Sequence, residues 1–399
     1  MTTGFSVFCV IAAAVAAPML AEIRIGLRVP AVVLEVLLGI VIGPHVLDLV
    51  RHSGFVEDMF GIAMAATLFM AGMELEFEQI RGRPLNLALG GWIVSVLLGL
   101  AAVGLLHVVP NVHAPLIVTL ALCTTGLGVL IPIFRDSGQF ETLFGRMVLA
   151  AGTVGEVSPI VAMSLLLSRR YTTWQETGFL VAFLLFVALV AAVGMGVRPP
   201  RILAFLSRQM EASTQLPVRL ALLMLLGLFV LAESFGFEGI FGAFAAGMIV
   251  GLATRGAQGK SMRAKLDAVA YGWFYPFFFV GTGIRFNLPA IIADITTVLL
   301  VPAFALLLLL IRGAPVWLLY RQHIEPLQRL PFALSSAVPS LSIVVVITEI
   351  GLRTKTIHPQ VAAALIGASL LSVLLFPTIA GAILQRNAGR RGRADARAP

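Results

Sequence analysis

The chain has 399 residues, of which 59% are hydrophobic and only 12% charged, with a formal net charge of +8 and a mean hydropathy of +0.99. No soluble core needs that much apolar surface, so a water-soluble globular domain is excluded. Apolar runs of about 20 residues recur along the length, each able to cross a hydrocarbon layer roughly 30 Å thick, and they are continuous rather than alternating. A spanning segment must satisfy its own backbone hydrogen bonds, so these runs require helices and exclude a barrel. The fold class is an all-α polytopic membrane protein.

The first run, Phe5 to Ala21, has no basic stretch before it and is followed by Glu22, Ile23 and Arg24 rather than a small-residue cleavage site, which reads as a retained helix. In chain order about 13 spans follow from hydropathy: 4–22, 29–47, 56–76, 86–108, 114–134, 143–167, 178–197, 216–235, 237–254, 268–284, 290–318, 330–350 and 358–384. Residues 385–399 are polar and Arg-rich and read as a disordered cytoplasmic tail. Cys9 and Cys123 lie in separate apolar runs and read as packing residues. With the N-terminus outside, about 21 of the Lys and Arg residues fall on the inner side, including Arg24, Arg28, Arg81, Arg83, Arg198, Lys260, Arg263 and the tail. The C-terminus is then cytoplasmic and the protein sits in the inner membrane. Positive-inside bias accounts for the basic charge, so no nucleic-acid partner is implied.

Ionisable groups at bilayer depth are costly, at least about 2.5 kcal/mol each, and are functional candidates for that reason. Glu156 lies in the middle of the sixth span, near 15 Å from either surface, too deep for so short a side chain to reach water. It either lines a hydrated cavity or pairs with a buried cation; the plainer alternative is a protonated acid bonded to a neighbouring helix. Arg312 is the one basic residue well inside a span. It stays charged, so it needs an anionic partner or water, and a long stem could also snorkel toward the cytoplasm. Glu35, near the middle of span 2, is a possible second acid. Glu74, Glu76, Glu78, Glu233, Glu238 and Glu349 fall at span ends, where solvation costs less.

Two spans carry helix-breaking clusters. The fifth has Thr124, Thr125, Gly126, Gly128 and Pro132; the twelfth has Ser335, Ser336, Pro339, Ser340 and Ser342. Such residues at depth allow a helix to unwind and free carbonyls and helix ends to face an ion, although small-residue packing produces similar patterns. Span 5 is fifth in residues 4–167 and span 12 is fifth in residues 216–384. The single linker helix 178–197 sets those two six-helix sets in opposite orientations. This is the inverted-repeat layout of secondary transporters with crossed discontinuous helices.

The segments "VPAVVLEVLLGIVIGP", "LFMAGMELE", "TTGLGVLIPIFRDSG" leading into "GRMVLAAGTVGEVSPI", "AESFGFEGIFGAFAAGMIVG" and "PFFFVGTGI" together resemble the cation:proton antiporter-2 family, the bacterial sodium/proton antiporters and potassium efflux systems. The resemblance covers nearly all of the chain. It implies that the ion-carrying acid is Glu156, that the polar position before it is Gly155, and that the basic residue of the eleventh span is Arg312. Gly155 is a departure, since the family places a polar residue there. The resemblance also implies a homodimer, with a mobile core containing spans 5, 6, 12 and 13 and a dimerisation domain containing spans 1, 2, 8 and 9.

The expected function is exchange of a monovalent cation, Na+ or K+, for protons by alternating access. Arg312 is expected to tune the carrier by pairing with Glu156, and Thr124, Thr125, Gly126, Ser335, Ser336, Pro339 and Ser340 to form the ion path. The alternative is a sodium-coupled symporter of an organic anion on a similar crossed-helix fold. A membrane-embedded enzyme is disfavoured because all six His residues fall at span ends or in loops. No cofactor is expected, and no metal beyond the transported cation.

Overall fold

The structure, a computed structural model, describes residues 2–22, 29–51, 54–74, 82–105, 115–127, 130, 142–167, 214–235, 237–254, 257–292 and 294–395. Every regular element among them is helical. Among the described residues, seven helices are long and apolar enough to cross a membrane, or eight if one bent pair is taken as a single span. The helices are α1 Thr3–Glu22, α2 Ala31–Ile42, α3 Phe55–Met73, α4 Arg83–Leu105, α5 Pro115–Leu122, α6 Leu143–Leu167, α7 Leu216–Ser234, α8 Gly239–Ala253, α9 Ala257–Val269, α10 Tyr275–Arg285, α11 Leu288–Ile292, α12 Ile295–Leu319, α13 Pro326–Ser336, α14 Leu341–Arg353 and α15 Pro359–Asp395. The seventh predicted span, 178–197, and the second half of the fifth lie outside the described residues.

The chain forms two compact units. The first comprises Met1–Ala14, Leu49–Leu75 and Val161–Ile284, with α8 packed between α3 and α7. Glycines set the approach: a Cβ at Gly247 would lie 1.9 Å from the Phe69 carbonyl oxygen, and one at Gly72 would lie 2.3 Å from that of Phe244. Where lipid replaces water, such close backbone contact supplies the dispersion that holds helices together. Helix α9 continues through a single π turn, Ala270–Phe274, into α10. Phe60 stacks on Phe278 at 5.7 Å and Phe55 meets Phe277 edge-on. At the end of α3, Arg263 donates to the Met73 carbonyl at 3.0 Å.

The second unit comprises Val15–Asp48, Glu76–Ile160 and Arg285–Pro399. Helix α12 packs against α4 and α15, α13 and α14 both lie on α15, and α14 reaches α5. Span 2, grouped on sequence grounds with spans 1, 8 and 9, falls here as α2. The tail is a correction as well. Residues 385–395 are not separate from the fold but prolong α15, which runs unbroken to Asp395. Ala, Gln and Arg propagate helix well, and the turns already formed through Leu384 remove the cost of nucleation. Apolar side chains such as Phe8, Leu97, Leu223 and Leu299 stay exposed on the outer faces, as lipid contact requires.

The packing of α3 on α8 makes a direct prediction. Gly247→Ala is expected to lower the thermal midpoint in detergent, at a cost of about 1–3 kcal/mol, because its methyl meets backbone that cannot move aside. Gly227→Ala, with nothing within 4 Å of the added carbon, is expected to leave the midpoint unchanged.

Candidate functional site

Span 5 starts as α5 and stops at Leu122, leaving residues 123–126 non-helical. Thr124 Oγ1 donates to the Ala121 carbonyl at 2.9 Å and so closes that helix end. Span 12 stops at Ser336 and resumes at Leu341, with a 41° bend between the halves. The two breaks meet: the Gly126 N–H donates to the Val338 carbonyl at 2.9 Å. Gly126 is required there, since a Cβ would lie 2.8 Å from the Pro339 carbonyl oxygen.

Helix α6 passes the same point. Pro159 lacks an N–H, so the Gly155 carbonyl four residues earlier loses its helical donor. The Thr125 N–H takes that place at 3.0 Å. Likewise Pro315 in α12 deprives the Ile311 carbonyl, which accepts from Ser95 Oγ of α4 at 3.0 Å. Two prolines thus free two carbonyls, and both are satisfied from neighbouring helices.

Arg312 closes the arrangement. It is 4% exposed and does not snorkel. Nε and Nη2 donate to Thr125 Oγ1 at 3.0 and 2.7 Å, Nη2 also to the Ala151 carbonyl at 3.1 Å, Nε to the Ser336 carbonyl at 3.3 Å, and Nη1 to Ser95 Oγ at 3.3 Å. Thr125 Oγ1 in turn donates to the Ser336 carbonyl at 2.7 Å. That hydroxyl therefore uses its one proton and both lone pairs. The described bonds of the guanidinium all go to neutral oxygens, so the geometry presents Arg312 as a tie between helices. Its charge lies against the carbonyl end of α13, where a helix carries partial negative charge.

Glu156, 5% exposed, sits one residue beyond this junction. Ser340 Oγ lies 3.4 Å from its Oε1. A Cβ at Gly155 would lie 2.7 Å from both Arg312 Nη2 and Thr125 Oγ1, so a side chain there would require the Arg312–Thr125 tie to shift. The structure thus brings together Thr125, Gly126, Gly155, Glu156, Arg312, Ser336, Pro339 and Ser340. Ser335 is buried in the last turn of α13, with no described bond to the crossing. Glu35 is 9% exposed on α2 in the same unit, and among the described residues its Oε2 has no hydrogen-bond partner. Sequence reasoning missed Ser95 and the Ala151 carbonyl. A hydroxyl midway along "GGWIVSVLLGL" was the available signal for the first; nothing in the sequence points to the second.

The non-helical stretch after α5 is thus bonded to the break between α13 and α14, beside a buried carboxylate and a buried arginine. The chain belongs to the transmembrane sodium/hydrogen exchanger family, whose profile matches residues 10–386. It is 28% identical over 295 residues to the Na(+)/H(+)-K(+) antiporter GerN of Bacillus cereus, covering 73% of this chain and 74% of that one. It is 25% identical over 375 residues to YjbQ of Bacillus subtilis, covering 89% of this chain but only 59% of that longer protein. In fold it resembles the sodium proton antiporter MjNhaP1 from Methanocaldococcus jannaschii, with a TM-score of 0.68 at 19% identity over 96% of this chain and 99% of the other.

The tie makes a second prediction. Thr125→Val removes two hydrogen bonds of the guanidinium, leaving Nε only the Ser336 carbonyl and Nη2 only that of Ala151, and is expected to cost about 1–3 kcal/mol, read as a lower thermal midpoint in detergent. Thr119→Val is the control: Thr119 Oγ1 is buried with no described partner, so replacing its hydroxyl with a methyl is expected to be neutral or stabilising. Arg312→Lys is expected to resemble Thr125→Val, because a point-charge ammonium cannot reproduce the planar fork.

Proposed function

We propose that the protein exchanges a monovalent cation, Na+ or K+, for protons across the cytoplasmic membrane by alternating access, with Glu156 as the shared carrier. The observation that carries this reading is the position of Glu156, a buried carboxylate beside the break between α13 and α14. A carboxylate there binds a proton or a cation but not both, which is the minimal device for exchange. Family membership supports the same reading, as does the Na+/H+ antiporter activity named for the Bacillus cereus relative. A sodium-coupled symporter of an organic anion is not supported. Arg312, the cation such a solute would seek, is engaged by protein oxygens.

The finer layout belongs to the same proposal. About 13 helices form two inverted six-helix repeats, 4–167 and 216–384, around the linker 178–197. The N-terminus is outside and the C-terminus cytoplasmic, as the loop charges favour. The protein acts as a homodimer, and the unit holding α4, α5, α6, α12, α13, α14 and α15 moves as the carrier body. Arg312 keeps the crossing intact through that movement and adds a fixed positive charge to the surroundings of Glu156.

Glu156→Gln is expected to fold normally and to abolish cation-dependent proton movement in proteoliposomes. Wild-type turnover by that variant would remove Glu156 from the mechanism. With no second polar side chain at Gly155, one carboxylate exchanges one proton for one cation and no net charge moves. Exchange is therefore expected to run at nearly the same rate with and without an imposed potential, whereas a two-proton cycle would respond to about 2.3 kcal/mol per net charge per 100 mV. If exchange is electrogenic and Glu35→Gln makes it electroneutral, Glu35 is a second carrier.

A further inference from the structure

Helix α14 carries two charged residues, Glu349 and Arg353, in a run otherwise made of Leu, Ile, Val, Ser, Thr and Gly. It packs on α15 and α5, mostly through apolar side chains, and burial of that kind has no direction of its own. The described bonds of the turn that follows, 354–357, return to the Ile350, Gly351 and Leu352 carbonyls of α14 itself. They close the helix without placing it. Glu349 ties the same end to another helix: its Oε2 lies 2.7 Å from Nη1 of Arg285, with both side chains 25% exposed. Arg285 is the last residue of α10 and the residue at which the chain enters the second unit, to which Glu349 also belongs.

Stability does not account for this pair. An ion pair so accessible to solvent adds little to folding, and a carboxylate one turn from the end of a helix is opposed by the partial negative charge of the last carbonyls. Its position accounts for it better. Residues 337–340 are all that separate α14 from α13, across a bend of 41°. From Ser340 to Glu349 the chain then rises about 14 Å. A helix hinged at one end and gripped at the other has its angle fixed, and with it the place of its first turn. That turn is the one that meets the carrier, since Ser340 Oγ is bonded to Glu156 Oε1.

We infer that Arg285 and Glu349 are positioning residues for exchange: their ion pair is a clasp on the far end of α14 that sets the angle of this helix at the break and so holds its first turn against Glu156. This rests on the carrier reading of Glu156.

The test is a charge-swap cycle in proteoliposomes, with NaCl and KCl as the probes and the thermal midpoint in detergent measured alongside. Glu349→Gln and Arg285→Gln are each expected to lower kcat about tenfold, since a misplacement of about 1 Å has effects of that order or larger. The KM for the cation is expected to stay within about twofold, because neither residue touches the ion, and the midpoint is expected to stay at the wild-type value. Arg285→Glu combined with Glu349→Arg restores the pair in reverse and is expected to recover most of the lost kcat. Wild-type kcat in both single variants, or a folded swap no faster than the singles, would overturn the clasp. The swap gives an answer even if a single variant fails to fold, because its recovery shows that the pair, and not either charge alone, is required. The two readings fail separately. If Glu156→Gln abolishes exchange while the swap gives no recovery, the clasp alone falls; if Glu156→Gln exchanges normally, the carrier reading falls whatever the swap does.

Discussion

Hydrocarbon offers no water, so every backbone group that a proline or a broken helix releases inside the membrane must find its partner within the protein. In this chain four of the released groups converge. Pro159 frees the Gly155 carbonyl and Pro315 frees that of Ile311, while the break after Ser336 leaves helix-end carbonyls at Ser336 and Val338. Each accepts from another segment: the Thr125 N–H, Ser95 Oγ, the Thr125 and Arg312 side chains, and the Gly126 N–H. The crossing is a single hydrogen-bond system in which Thr125 and Arg312 are the shared members.

That constraint explains why an arginine is tolerated at such depth. A buried guanidinium without partners costs several kcal/mol, but here helix-end and proline-freed oxygens need donors as much as the arginine needs acceptors. The two deficits cancel. The same economy of space explains Gly155, where the family resemblance implied a polar residue. Arg312 Nη2 and Thr125 are packed where its side chain would project. On sequence grounds that glycine was a departure from the resemblance; in the structure it is the room that the tie occupies.

Arg312 is bonded locally to neutral oxygens of the crossing. The described donors of Arg312 point across α6 to Ala151, one turn before Glu156, and to the neutral oxygens of the two breaks. This leaves Glu156 beside Ser340, on the other side of the junction. The physical consequence is that the permanent charge holds helices together.

The class of the protein was legible from composition, since apolar runs of membrane-spanning length admit only helices. So were the candidates, because Glu156 and Arg312 are expensive at their depth whatever surrounds them, and clustered Gly, Pro and Ser mark places where a helix stops. These are local properties, and sequence carries them directly. Contacts between segments far apart in sequence are not local. That Thr125 rather than Glu156 receives Arg312, that Ser95 belongs to the junction, and that the Gly155 carbonyl freed by Pro159 is closed by a residue thirty positions earlier all depend on which helices lie side by side. Only the tertiary structure decides that, because a released carbonyl specifies that it needs a donor and says nothing of which segment will bring it.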